Sequence, residues 1–391
     1  MTPSTPAAPP ASPARATEQW ATAAVFFING FGFASWASRV PAVRDGLQLT
    51  EGQLGMALLA MGVGALCAFQ LAGRGLAHFS ARSLTLATGL LCCYALPQPA
   101  MVGSLPVLAF CLFLLGAAVG AMDVAMNALA VEVEVRRGRP IMSGLHGLWS
   151  AGGLCGAAAG SLMAQQGVAP DIHLSLAGVA MAVGLLAGRP WLPTLPPKPP
   201  ESKPAFAFPE RALWGLGGIV FCSFLIEGAM ADWSAIHLKD SLGTSAAMAA
   251  LGYSAFSLAM MGMRLAGNQL VARWPAASLL RVANATAALV LVAALAVGHV
   301  ALTMLAFVLV GLGVAVVAPL VFSAGARRSQ HGAGHGIAAM ATLGYGGFLL
   351  GPPLIGWLAH LSSLRLALGV LAVLAAGIAL LAHHLSEPAQ G

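Results

Sequence analysis

Asp123, Glu227 and Asp232 stand well inside long apolar stretches of the chain. On insertion scales a carboxylate at mid-bilayer costs roughly 2.5–3.5 kcal/mol, so an acid kept there normally faces a protein interior and a partner. Asp123 falls about eighteen residues into its stretch, and Asn127 lies one helical turn further on the same face. One proton neutralises such a carboxyl, so the group can carry that proton between two aqueous sides. Glu227 lies deep in a later stretch and suits the same work, or accepts hydrogen bonds from a polar solute. Asp232 and Trp233 come near the end of that stretch. The plainer reading of Asp123 is a packing carboxyl tied to a neighbouring donor, and that of Asp232 a carboxyl solvated at the mouth.

Other polar groups interrupt apolar runs. Asn29 sits halfway along the first run, His146, Trp149 and Ser150 form an i, i+3, i+4 face, and Tyr345 is mid-run. Each must find a partner inside a membrane, either a polar solute or a group on another helix. His146 is read as a hydrogen-bonding ring rather than a switch. Trp36 and Trp233 stand beside polar residues and suit either stacking on a sugar ring or anchoring at the membrane interface. The candidate solute-binding set is therefore Asn29, Trp36, Asn127, His146, Trp149, Ser150, Glu227, Asp232, Trp233 and Tyr345. Asp123 and Glu227 are the candidate proton-handling pair.

Several chemistries are missing their motifs. There is no Gly-x4-Gly-Lys-Ser/Thr loop for nucleotide phosphates and no His-Glu-x-x-His. Trp149-Ser150-Ala151-Gly152 has half of a nucleophile elbow, but Leu148 stands where its first glycine belongs. His331 and His335, four apart in a glycine-rich segment, are read as a polar loop. The expectation is a chain with no catalytic residue, no cofactor and no metal site.

The elements that must position these residues follow from composition. Hydrophobic residues make up 58% of the 391 positions and charged residues 8%. Soluble domains carry roughly 25% charged residues, so this chain cannot cover a core with charge, and a cytosolic enzyme, a nucleic-acid binder and a disordered chain are excluded. The net charge of +6 is dealt out between apolar runs, not gathered on one face. All six cysteines fall inside apolar runs, as buried inert thiols do. A run of about 20 apolar residues spans the bilayer core. Twelve are read, near 20–38, 52–73, 83–101, 105–131, 140–166, 172–190, 212–236, 246–270, 279–298, 301–323, 335–360 and 363–384. The shortest separations are 298/301 and 360/363.

With the amino terminus inside, the Lys and Arg residues divide 15 inside to 4 outside, the bias of a multi-pass protein with both termini cytoplasmic. That count places Arg264 in an inside loop. Residues 1–18, with five prolines, read as a disordered cytoplasmic tail. Residues 190–209 hold eight prolines and read as a stiff linker. The domain reading is a tail (1–18), a six-helix bundle (19–190), a linker (191–211), a second bundle (212–385) and a short tail (386–391). The halves echo each other. Leu71-Ala72-Gly73 recurs as Leu265-Ala266-Gly267, and Arg136-Arg137 as Arg327-Arg328. Glycine rows recur in the fifth and eleventh runs. The fold class is an all-α membrane protein, twelve transmembrane helices in two pseudo-symmetric six-helix bundles.

Several strings resemble the major facilitator superfamily, in a bacterial inner-membrane branch near the fucose-permease type whose substrates are largely unassigned. They are Ala34-Ser35-Trp36-Ala37 through Pro41-Ala42-Val43-Arg44-Asp45, Asp123-Val124-Ala125-Met126-Asn127, His146-Gly147 with Ser150, Glu227-Gly228 with Asp232-Trp233, and Gly344-Tyr345 with Gly351-Pro352-Pro353. The resemblance implies a secondary transporter of a small polar solute, such as a sugar, working by proton symport and alternating access as a monomer in the cytoplasmic membrane. It places Asp123 on a helix that lines the central cavity. A proton-coupled efflux antiporter and a non-transporting receptor stand as alternatives. Two strings depart from the pattern. His78 stands where the loop after the second helix usually has an acid. Gly156-Ala157 stands where drug antiporters usually have Gly-Pro.

Overall fold

The structure is a computed structural model that describes residues 16–138, 141–194, 196 and 209–385. The 1–15 part of the expected tail, most of the proline-rich linker and the 386–391 tail lie outside the described residues. Ala16 to Glu18, expected in the tail, already belong to α1 (Ala16–Ala37).

Among the described residues the chain makes twelve helical crossings. The first half comprises α1, α3 (Glu51–Gly75), α4 (Ala81–Ala95), α5 (Leu105–Arg137), α6 (Met142–Gln165) and α7 (Pro170–Gly188). The short α2 (Val40–Gly46) lies on the face opposite the linker, called here the Arg44 face. The second half comprises α8 (Trp214–Ile236), α9 (Ala246–Arg273), α10 (Ala276–Val297), the pair α11 (Val300–Val314) and α12 (Val317–Arg328), α13 (Ala333–Leu361), and the pair α14 (Leu364–Ala367) and α15 (Gly369–Leu381). Nine of these stretches are long and apolar enough to cross a membrane by length and composition alone. The exceptions are α4, with 15 residues, and α1 and α6, whose hydropathy is diluted by glycines and by the polar groups discussed above.

Local signals set the boundaries. Thr50 forms a capping box with Gln53 at the start of α3. Glu134, at the end of α5, accepts the Ile141 and Met142 N–H groups at 2.7 and 3.0 Å and so caps the start of α6. The short separation after residue 298 holds because Gly298 adopts φ +72° and closes α10. The one after 360 holds because the Ser363 hydroxyl accepts the Leu366 N–H.

The tenth run is not one helix. It breaks at Ala315–Val316 because Pro319 has no N–H to offer the Ala315 carbonyl.

Glycine sets the helix pairing. A methyl added at Gly30, Gly152 or Gly156 would strike the facing backbone, so α1 and α6 are in backbone contact; Gly64 and Gly116 do the same for α3 and α5. In the second half Gly347 brings α13 onto α8, and Gly311 brings α11 onto α9. These pairings correspond under the repeat. The two bundles meet along two seams, α6 on α9 and α3 on α13, which also exchange under the repeat. Outward-facing Phe110, Leu114, Leu289, Val373 and Leu380 are exposed, the surface a hydrocarbon environment requires.

Candidate functional site

The sequence-identified polar residues fall into two groups. In the first, Asn127 Nδ2 donates to the Asp123 carbonyl at 2.8 Å and to Asp123 Oδ1 at 3.2 Å, both on α5. Tyr345 of α13, from the other bundle, lies within Coulombic reach of Asp123. Its ring packs on Phe69 of α3 and Phe224 of α8, with centroids 4.4 and 5.9 Å away.

The second group is built from α1, α6, α8 and α9. Trp149 Nε1 donates to Asn29 Oδ1 at 2.8 Å. Phe33 stacks near Trp149 at 5.9 Å and near Tyr253 of α9 at 6.2 Å. The His146 ring meets Phe26 edge-on at 5.3 Å. Ser150 donates to the His146 carbonyl. At the centre is Arg264 of α9. Its Nη1 donates to Ser150 Oγ at 3.0 Å, and its Nη2 lies 3.6 Å from Glu227 Oε2. Its Nε points at the Ala315 carbonyl at 3.4 Å, the acceptor that Pro319 leaves unused. Ser223 donates to Glu227 Oε1 at 3.4 Å. The Arg264 and Glu227 side chains are 14% and 20% exposed, low enough that removing either partner strands the other charge.

Arg264 is the principal residue that sequence reasoning missed. Assigned to an inside loop, it lies well within α9, whose membrane stretch is Ala246–Gly267. The repeat carried the signal: with Leu71-Ala72-Gly73 set on Leu265-Ala266-Gly267, Arg264 falls opposite Gln70, inside a helix. Tyr253 was also missed. It lies within Coulombic reach of Glu227, Arg264 and Asp232, and its ring packs against Phe33 and Phe256.

The remaining expected residues are placed as follows. Asp232 is half-buried on α8 beside the second group, not solvated at a mouth. Trp36 meets the second group through a crevice shared with Asn29 and Phe33, Trp233 joins neither group, and both side chains are buried. Trp36, 2% exposed, lines a narrow crevice inside the first bundle with Asn29, Phe33 and Met181. Trp233, 0% exposed, is held where Gly356 of α13 meets Glu51 and Gly55 of α3. Both indole N–H groups lack a hydrogen-bond partner.

The Arg44 face is shut. Arg44 pairs with Asp240 and with Asp45, the latter at 2.9 Å, and Lys239 pairs with Asp45. Ser161 of α6 donates to the Ala247 carbonyl of α9 at 2.7 Å. Partial burial works against ionisation of Asp45, but hydrogen bonds from Lys239 and Arg44 prevail and hold its carboxyl below the usual range. Asp45 and Lys239 are 194 positions apart, the offset between Leu71 and Leu265. The cross-bundle pair thus joins equivalent positions of the two halves.

Known proteins resemble this chain in sequence and in fold. The chain is 36% identical over 358 residues to an uncharacterized MFS-type transporter of Yersinia pestis, covering 92% of this chain and 93% of that one. Its fold is similar to that of the nucleoside transporter NupG (TM-score 0.70, 14% identity, 95% of this chain and 99% of that one). It is also similar to the E. coli fucose:proton symporter FucP (TM-score 0.63, 15% identity, 96% and 100%). At these identities the two structures bear on fold alone. Residues 22–350 match the major facilitator superfamily. This chain belongs to that superfamily of transporters.

Proposed function

We propose that this protein is a proton-coupled symporter of a small polar solute, a sugar or related metabolite, and that it works by alternating access as a monomer in the cytoplasmic membrane. Both termini and the linker are then cytoplasmic, and the shut Arg44 face is the outer one. The observation that carries the reading is the polar chain Ser150–Arg264–Glu227, which passes from one bundle to the other within the membrane. A charged network at a bundle seam is costly in a static scaffold, and it is useful where a solute and a proton must compete for the same groups.

In this reading Asp123 and Glu227 handle the proton. Asn29, Asn127, His146, Trp149, Ser150, Asp232 and Tyr345 contact the solute. Trp36 contacts it from the crevice inside the first bundle, and Trp233 only when the α3–α13 seam parts. The Asn29–Trp149 pair beside Phe33 and Tyr253 supplies both amide and aromatic surface for a ring that bears hydroxyl groups.

The test uses purified protein in proteoliposomes with an imposed inside-alkaline pH gradient and a panel of radiolabelled hexoses, deoxyhexoses and nucleosides. The expected result is accumulation of one class above equilibrium, abolished by a protonophore. Expulsion under the same gradient would establish the antiporter instead. Binding with no counterflow would establish the receptor. Either result overturns the proposal.

A further inference from the structure

Three potential metal ligands meet on the linker face, far from the two groups above. Glu210, just before α8, places Oε1 2.9 Å from His331 Nδ1. His335, in the first turn of α13, lies with its ring centroid 5.0 Å from that of His331. One donor atom from each of the three side chains lies within 4.8 Å of the others. Gly332, at φ +94°, makes the turn that brings the two rings to one side. The carboxylate is fixed before any ion arrives: Ser329 Oγ donates to it at 2.7 Å and the Gln330 N–H at 3.2 Å. The His331 side chain is 66% exposed, which leaves an approach from solvent.

We propose that Glu210, His331 and His335 form a binding site for one divalent transition-metal ion of the Zn2+ type. Imidazole and carboxylate are the donors such ions prefer, three protein ligands with water in the fourth position being a standard set. Tetrahedral Zn2+ holds its donors about 3.3 Å apart, so the side chains need only close by a rotamer adjustment. The ion takes the lone pairs of Glu210 Oε1 and His331 Nδ1 in place of the contact between them, with the neutral ring carrying its proton on Nε2. The three ligands come from two segments, the end of the linker and the stretch that runs from the α12–α13 turn into the first turn of α13. A bound ion therefore staples the linker to the second bundle.

The test titrates tag-free, full-length protein in detergent with Zn2+ by calorimetry and with Co2+ by its visible absorption. One ion per chain is expected, with a tetrahedral Co2+ spectrum and a rise in unfolding temperature on adding Zn2+. H335A should weaken binding at least tenfold, and H331A/H335A should abolish both the spectrum and the thermal shift while unfolding at the wild-type temperature without metal. H383A/H384A, which removes the neighbouring histidine pair, should bind as the wild type does. Absence of binding by the wild type, or equal binding by H331A/H335A, would overturn the proposal.

Discussion

The fourth crossing and its counterpart, the tenth, hold equivalent places, each pressed by glycine against the second helix of its own bundle. They differ in what they carry. The fourth, α5, is one continuous helix bearing Asp123 and Asn127. The tenth breaks at Ala315–Val316 and has no charged residue before Arg327. Its polar contribution is a bare carbonyl, exposed because Pro319 cannot bond it, and Arg264 of the neighbouring helix takes it up. The comparison shows how a duplicated scaffold divides its labour. Backbone packing is repeated faithfully, whereas the fourth crossing carries its own acid, Asp123, and the tenth only a carbonyl that Arg264 of α9 takes up.

The largest expected effect comes from removing the cation. Arg264→Ala strands Glu227 and the Ala315 carbonyl together and should cost about 3 kcal/mol, read as a fall in unfolding temperature in detergent, with transport lost. The double variant with Glu227→Gln should recover most of that stability but not transport. If Arg264→Ala unfolds like the wild type, the second half has no fixed cation in the sense argued here.

Next come the glycines. At Gly116 of α5 a methyl would drive into the Met61 carbonyl, whereas at the corresponding Gly311 of α11 it would meet the Phe256 carbonyl at 2.6 Å. Overpacking costs about 1–3 kcal/mol. Gly116→Ala should lie at the upper end of that range and Gly311→Ala at the lower, as thermal unfolding of both variants would show. Equal losses would mean that the broken crossing is as rigid as the continuous one.

The smallest effect concerns the Arg44 face. Exposed ion pairs are worth about 0.2–1 kcal/mol each, so Asp45→Asn and Lys239→Gln should each shift the population of the shut face only slightly, and the double variant should shift it little more than Asp45→Asn alone. The sign with pH follows from the lowered Asp45 carboxyl. Its contribution is complete above the ordinary Asp value near 4 and fades as pH falls through the lowered one. Distances between spin labels across this face should therefore hold steady from pH 8 to 5 and lengthen only in stronger acid. Lengthening at pH 6 would assign the latch to other groups.

Much of the fold was legible because apolar runs of bilayer length and a proline-rich middle are strong signals. Most crossings coincide closely with their runs, although α4 stops at Ala95, six residues short, and the twelfth is interrupted at Leu368. The break in the tenth was written in Pro319, which run length alone does not register. The individual polar residues of the site were legible for the same reason that charge is costly in lipid. Their partners were not, because the Trp149 bond to Asn29 and the Arg264 bond to Ser150 join helices far apart in sequence. Arg264 was hidden by the assumption that an arginine near the end of a run is a loop residue. The meeting of Glu210 with His331 was equally out of reach, since 121 positions separate them.

The central claim is that Asp123 couples proton movement to solute movement. It is tested most directly by measuring gradient-driven accumulation and counterflow side by side for Asp123→Asn in proteoliposomes, with whichever solute the wild type accumulates. The account predicts that counterflow persists while accumulation under the pH gradient disappears. Accumulation at the wild-type level would contradict it.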